Sequence, residues 1–354
     1  MPKGTWKLYP NIYTVLVGRP GLGKGAAVNP ALALFKEANV ANILSDRLTI
    51  EYVLEKLSKG FPVQTYTAKG VTFGSDSTAL LFSPELSIFI TASNVTLPIL
   101  ADLWDAREQP LMYGTRHKGE YLIKAPCVSL LGGSTQEWLI DAIPSTAVGG
   151  GFTRRVNFVF AKERQQYIPY SSNGLVAFPQ DLVDDLRAIS ADVRGAFRLE
   201  PTLIKEYDDY CRRQIPDEFS DEAEASYITT KWAHALKLAM VISASRTSDM
   251  IIRVEDWRRA TDAVDKVARD IKLVFRAVGE SDLVIAGDRV LRFIEAKGYT
   301  TRNEILAVNW RHISTDDLTV VLATLTQGGL IAETTVGNQI VYRPKPVANV
   351  KKAP

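Results

Sequence analysis

Seven residues from Gly18 to Lys24 fit the spacing G-x-x-x-x-G-K, with an additional glycine at Gly21. A loop of that composition binds polyphosphate. Its glycines let the backbone curl until successive N–H groups point inward at phosphate oxygens. The helix that follows adds the positive end of its dipole, and the lysine reaches the β- and γ-phosphates. The residues expected to line such a phosphate-binding loop (P-loop) are Gly18, Pro20, Gly21, Gly23, Lys24, Gly25 and Ala26. Gly25 departs from the pattern, which calls for Ser or Thr there to hold Mg²⁺ through a hydroxyl. Nucleotide binding is therefore better supported than hydrolysis.

Hydrolysis needs further groups around the phosphates, and three later segments offer them. In Ala79-Leu-Leu-Phe-Ser-Pro-Glu85 an apolar run ends at Ser83, and a carboxylate follows two positions on. Glu85 suits a general base. Ser83 stands where an aspartate usually binds the metal, a neutral hydroxyl that would hold Mg²⁺ weakly or through water. The same glutamate also suits a capped strand-to-helix turn. Asp102 and Asp105 are the runner-up acids, on a helix expected to face solvent or a neighbouring subunit. In Cys127-Val-Ser-Leu-Leu-Gly-Gly-Ser-Thr135 a strand ends in two glycines and two hydroxyls. Ser134 or Thr135 could sense a γ-phosphate, cap the helix starting at Gln136, or do both. Finally, Gly149-Gly-Gly-Phe-Thr-Arg-Arg155 places paired arginines after a flexible tract. Arg154 or Arg155 suits a mobile cationic finger that stabilises charge on a transferring phosphoryl group, or a surface pair flanking a strand. Farther on, Lys231 and Lys237 are read as a second phosphate contact on an amphipathic helix, and His234 as a packed residue.

These residues need a scaffold, and the hydropathy pattern supplies one. Over 11–162, apolar strand-like runs at 12–17, 41–44, 79–82, 127–131 and 155–160 alternate with helical segments, the mark of an α/β domain with a largely parallel sheet. Residues 113–123 read as a hairpin arm whose tip carries Arg116, His117 and Lys118. From 178 to 278 apolar residues recur at three- and four-residue spacing, as in a helical subdomain or lid. Three further helices and a hairpin then give a winged-helix layout. Its third helix opens with Asp316 and Asp317 and continues in apolar and hydroxyl residues, so protein contact suits it at least as well as DNA reading. The expected division is an ATPase-like core at 1–165, a helical subdomain at 166–280, a winged helix at 281–345 and a disordered basic tail at 346–354.

Composition narrows the class. The chain has 354 residues, 46% hydrophobic and 23% charged, which describes an ordinary globular protein of two or three domains. No apolar stretch is long enough to span a bilayer, and the N-terminus lacks an apolar signal core, so a cytoplasmic location is expected. Cys127 and Cys211 are too far apart for a zinc motif, and the three histidines are scattered. A net charge of +2 confines any nucleic-acid site to a local patch.

Taken together, Val15–Gly25, Leu80–Glu85, Leu130-Leu-Gly-Gly-Ser-Thr-Gln-Glu-Trp-Leu139 and Gly149–Arg155 resemble the P-loop ATPase domain of phage- and plasmid-encoded replicative helicases. The resemblance spans roughly residues 10 to 280. It implies an AAA+/RecA-like ring ATPase, usually a hexamer, that uses ATP and Mg²⁺ to move on single-stranded or forked DNA alongside a primase or polymerase, in the host cytoplasm. By that resemblance Lys24 contacts phosphate, Glu85 polarises water, Ser134 or Thr135 senses the γ-phosphate, and Arg154 or Arg155 acts on a neighbouring subunit's ATP. Residues 116–118 become a pore loop touching DNA phosphates. The alternative is an ATP-binding replication initiator or helicase loader, which Gly25 and Ser83 favour. A small-molecule kinase fits worse, since no acceptor site is evident.

Overall fold

Five strands make the central sheet: β1 (Tyr13–Gly18), β2 (Ile43–Leu44), β3 (Thr78–Ser83), β4 (Cys127–Ser134) and β5 (Val156–Ala161). All neighbours are parallel, in the order β5-β1-β4-β3-β2. The computed structural model describes residues 1–3, 6–45, 48–67, 70–90, 95–106, 108–115, 119–143, 150–164, 179–216, 222–275, 282–310, 312–337 and 339–345. The chain is mixed α/β. Residues 1–275 form one compact unit and residues 276–354 another.

The strands are short apolar runs because a parallel sheet is covered on its faces. Tyr13, Val15, Leu81, Val128, Leu130, Val156 and Phe158 are all buried. From β1 the chain crosses to the far edge at β2, returns through β3 to β4 beside β1, then passes β1 to reach β5. Strand β4 is thereby inserted between β1 and β3, and three strand ends lie side by side along one edge.

Helix α1 (Lys24–Ala38) starts directly after the glycine loop. Gly21 and Gly23 hold φ values of 82° and 85°, left-handed backbone that glycine adopts without a Cβ clash. Helix α2 (Thr96–Asp105) is largely buried and packs on β4, so the expectation that it faces solvent does not hold. The reason is its apolar run Leu97, Ile99, Leu100, Leu103 and Trp104. Helix α3 (Gln136–Ala142) follows β4. The expected arm exists as an antiparallel hairpin, Leu111–Thr115 with Gly119–Ile123. Its tip at Arg116, His117 and Lys118 lies outside the described residues.

Two long helices, α4 (Glu222–Arg246) and α5 (Val254–Phe275), pack along each other, and α5 lies against β5. The Phe158 and Phe275 rings meet edge-on at 5.0 Å, and Tyr227 donates a hydrogen bond to Asn157 Oδ1 at 2.7 Å. The helical stretch expected as a subdomain or lid is therefore part of the same unit as the sheet. Helix α4 is also less one-sided than its sequence suggests. Ala233 to Lys237 are buried consecutively, so that turn is enclosed all round.

The second unit has helices Asp282–Lys297, Arg302–Asn309 and Thr315–Gln327, with an antiparallel sheet in the order Thr300–Thr301, Gln339–Pro344, Ile331–Val336. Thr301 and Glu304 form a reciprocal capping box, and Ser314 caps the last helix. Val290, Ile294, Ile305, Leu318 and Ile331 fill its core. The tail at 346–354 lies outside the described residues.

Candidate functional site

In a parallel sheet the carboxyl ends of the strands share one edge, and ligands bind there where the strand order reverses. At that edge a cavity of about 150 Å³ is lined by Pro20, Lys24, Pro84, Glu85, Gly133, Ser134, Thr135 and Trp138. Three segments that the sequence marks separately thus meet in one place.

Glycine makes the meeting possible. A Cβ at Gly133 would stand 2.6 Å from the Pro84 carbonyl oxygen, and one at Gly132 would stand 3.3 Å from Ser83 O. The Gly-Gly pair therefore lets the end of β4 close onto the turn that carries Glu85. A Cβ at Gly18 would likewise stand 2.9 Å from Ala161 O, at the end of β5.

Lys24 Nζ donates to the Gly18 and Arg19 carbonyls at 2.5 and 3.2 Å, which keeps the ammonium over its own loop. The first turn of α1 has neither an acidic residue nor a side-chain cap. Its leading N–H groups, the dipole and Lys24 add up to a positive cradle suited to phosphate oxygens. No hydroxyl accompanies them at Gly25, although the position is open: the nearest atom to an added Cβ is Asn29 Nδ2 at 3.9 Å.

Ser83 is buried, and its hydroxyl donates to Glu85 O at 2.8 Å, closing the Ser83–Pro84–Glu85 turn. Glu85 itself is exposed at the cavity. Among the described residues no cluster of His, Cys, Asp and Glu could hold a metal by itself. A single carboxylate beside a phosphate cradle still fits Mg²⁺, which is commonly bound by one or two carboxylates with substrate phosphates. Ser134 Oγ lies 3.2 Å from Thr135 O, and Thr135 Oγ1 accepts from Trp138 N at 3.3 Å. Thr135 thus caps α3 and lines the cavity together.

The arginines stand elsewhere. Strand β5 pairs Val156 with Tyr13 and Ala161 with Gly18, so Arg154 and Arg155 lie where the strands begin. Five residue steps separate the two edges, about 17 Å at the rise of a strand. Arg155 is held within its own chain. Its Nε and Nη2 hold Asp105 Oδ1 and Oδ2 at 2.9 and 3.0 Å, and Nη1 donates to Gly151 O. Its guanidinium also lies 5.7 Å from the Trp104 ring, and its side chain is 12% exposed. Asp105 is thus a counter-ion, and Asp102 accepts from Tyr113 OH at 3.1 Å. Arg154 differs: its Nε is buried with no hydrogen-bond partner among the described residues. Its carbonyl oxygen accepts from Thr230 Oγ1 and His234 Nε2.

The lysine pair is also at the far edge. Lys231 pairs with Asp265 at 3.0 Å. Lys237 is buried, donates to Asn11 Oδ1 at 2.6 Å and lies 3.9 Å over the Trp104 ring. Burial lowers its pKa to about 7. Since Asn11 precedes β1 and Thr230 touches Arg154, neither lysine reaches the Lys24 cavity of its own chain. Sequence reading missed the clamp, Thr230 and the Lys237–Asn11 contact, for these partners lie 50, 76 and 226 positions apart.

No helix of the described residues is long and apolar enough to cross a membrane. Compared with protein-family models the chain matches none, and no curated protein matches it.

Proposed function

We propose that this chain is an ATP-dependent DNA helicase or translocase of phage or plasmid replication, hydrolysing ATP between the subunits of a homo-oligomeric, hexamer-type ring. One observation carries the reading: Lys24, Glu85, Ser134 and Thr135 arrive from three strand ends at a single cavity. That is the set a phosphoryl-transfer site requires, namely a cation and amide cradle, a base, and hydroxyls to orient water.

In the proposed reaction Lys24 and the start of α1 hold the β- and γ-phosphates. Glu85 accepts a proton from water as its oxygen attacks the γ-phosphorus. The bond from γ-phosphorus to the bridging oxygen breaks, and ADP leaves with that electron pair. Ser134 or Thr135 orients the water and the γ-phosphate. Mg²⁺, held by the phosphates with Glu85 and Ser83 nearby, would neutralise phosphate charge. The cavity is smaller than the 300–1,000 Å³ usual for whole small molecules. It fits the phosphates alone and leaves the nucleoside to a neighbouring surface. A separation of about 17 Å exceeds the reach of an arginine side chain, so Arg154 would serve the ATP of the next subunit. The hairpin Leu111–Ile123 would meet single-stranded DNA, with Arg116, His117 and Lys118 on phosphates. The second unit, read as a winged helix, would dock DNA or a primase or polymerase in the host cytoplasm.

A second reading has its own support. Gly25 lacks the metal-binding hydroxyl, and the Ser83 hydroxyl is engaged by Glu85 O. Both favour an initiator or loader that uses ATP as an assembly switch. ATP turnover with and without single-stranded DNA, measured with the oligomeric mass, separates the two. DNA-stimulated hydrolysis by a ring-sized assembly supports the motor. Binding without turnover supports the switch, and absence of ATP binding refutes both.

A further inference from the structure

Arg154 is gripped by its backbone carbonyl, while its side-chain Nε is buried with no hydrogen-bond partner among the described residues. Thr230 Oγ1 and His234 Nε2, one turn apart on α4, each lie 2.8 Å from the Arg154 carbonyl oxygen. The His234 ring stacks on Tyr227 with centroids 5.0 Å apart and tilts against Trp104 at 5.4 Å. Its Nδ1 is buried with no hydrogen-bond partner among the described residues. A protonated ring would bury an unpaired N–H there, whereas the neutral Nε2–H form leaves only a lone pair. Burial also lowers the His234 pKa to about 4. The ring is therefore a neutral donor to Arg154 O. On either side, Asp105 clamps Arg155 and Tyr227 bonds to Asn157, so residues 154–157 are pinned to α2 and α4.

We propose that Thr230 and His234 are positioning residues for Arg154, setting through its carbonyl oxygen where its guanidinium enters the neighbouring subunit's site. This rests on the reading that Arg154 acts on ATP in trans. Such a group must be placed to well under 1 Å, since a displacement of about 1 Å costs about 100-fold in rate. Two hydrogen bonds on one carbonyl oxygen, beside a bidentate ion pair on the next residue, provide that precision.

The test uses the full chain and reads single-turnover hydrolysis of radiolabelled ATP alongside the Kd of a fluorescent ATP analogue. Thr230→Val, Thr230→Ser and His234→Phe are compared in the wild-type and Arg154→Ala backgrounds. Arg154→Ala should lower the rate about 1,000-fold or more with Kd unchanged. Thr230→Val should lower it about tenfold, the Thr230→Val/His234→Phe pair about 100-fold, and Thr230→Ser should restore it. In the Arg154→Ala background none should lower it further. Wild-type rates for Thr230→Val and His234→Phe beside an impaired Arg154→Ala would overturn the positioning role. So would losses that persist in full without Arg154, since they would report general damage. A wild-type rate for Arg154→Ala would instead sink the trans reading itself.

Discussion

Replacing Gly133 by alanine tests the convergence of the three strand ends. The added Cβ would stand 2.6 Å from Pro84 O, a backbone atom that no side-chain rotation can move away. Contacts below 3.0 Å are essentially never seen and ordinary contact begins at 3.4 Å, so the turn must retreat by about 0.4–0.8 Å. Lys24 Cβ, at 4.0 Å, need not shift. Two consequences separate. Overpacking at such a site costs about 1–3 kcal/mol, readable as a lower midpoint in urea. The retreat displaces the turn that carries Glu85, and a displacement approaching 1 Å slows a positioned reaction by up to about 100-fold. Gly133→Ala should therefore bind ATP as the wild type does and turn it over at least tenfold more slowly. Unchanged stability together with unchanged turnover would refute the packing argument.

Other perturbations follow from the same geometry. Gly25→Thr adds a Cβ with no heavy atom nearer than 3.9 Å, and should raise Mg²⁺-dependent turnover without loss of stability; a drop in both would show that the position tolerates no hydroxyl. His234 should make folding acid-sensitive. Its pKa falls from 6.5 to about 4 on folding, so the unfolded chain binds more protons between those values. The stability it contributes is present above pH 6.5 and lost on descent to pH 4, about 3 kcal/mol in all. Urea midpoints of wild type and His234→Phe across pH 4–7 should diverge by that slope, and parallel curves would contradict it. Asp105→Ala should cost about 2 kcal/mol by leaving the mostly buried Arg155 charge without its carboxylate, a figure reduced because Asp105 is 27% exposed. Adding Arg155→Met should recover most of the loss in the same denaturation assay.

Local patterns in the chain were legible because local physics writes them. The glycine loop, the apolar strand runs and the hydroxyls that cap Gln136 and Thr315 all act within a few residues, and their elements stand within a few positions of expectation. Glu85 and Ser134 could be nominated because each ends an apolar run at the same strand edge. What escaped was set by tertiary contact. Arg154 and Arg155 look equivalent in sequence, yet the carboxylate of Asp105, 50 positions away, takes one and leaves the other. Lys237 reads as a phosphate contact, but Asn11 and Trp104 enclose it. The helices of residues 222–275 look separable because their apolar residues recur at helical spacing, but Phe275 meets Phe158 on β5. Nor could periodicity foresee that Gly132 and Gly133 admit the Ser83–Pro84 backbone, since that demand arises only when β4 is inserted beside β3.

The most direct test of the nucleotide site compares ATP binding and turnover in wild type, Lys24→Ala and Glu85→Gln. Lys24→Ala should lose ATP binding, while Glu85→Gln should hold ATP without hydrolysing it. Unchanged ATP affinity in Lys24→Ala, or wild-type turnover in Glu85→Gln, would contradict the proposed phosphate cradle or its base.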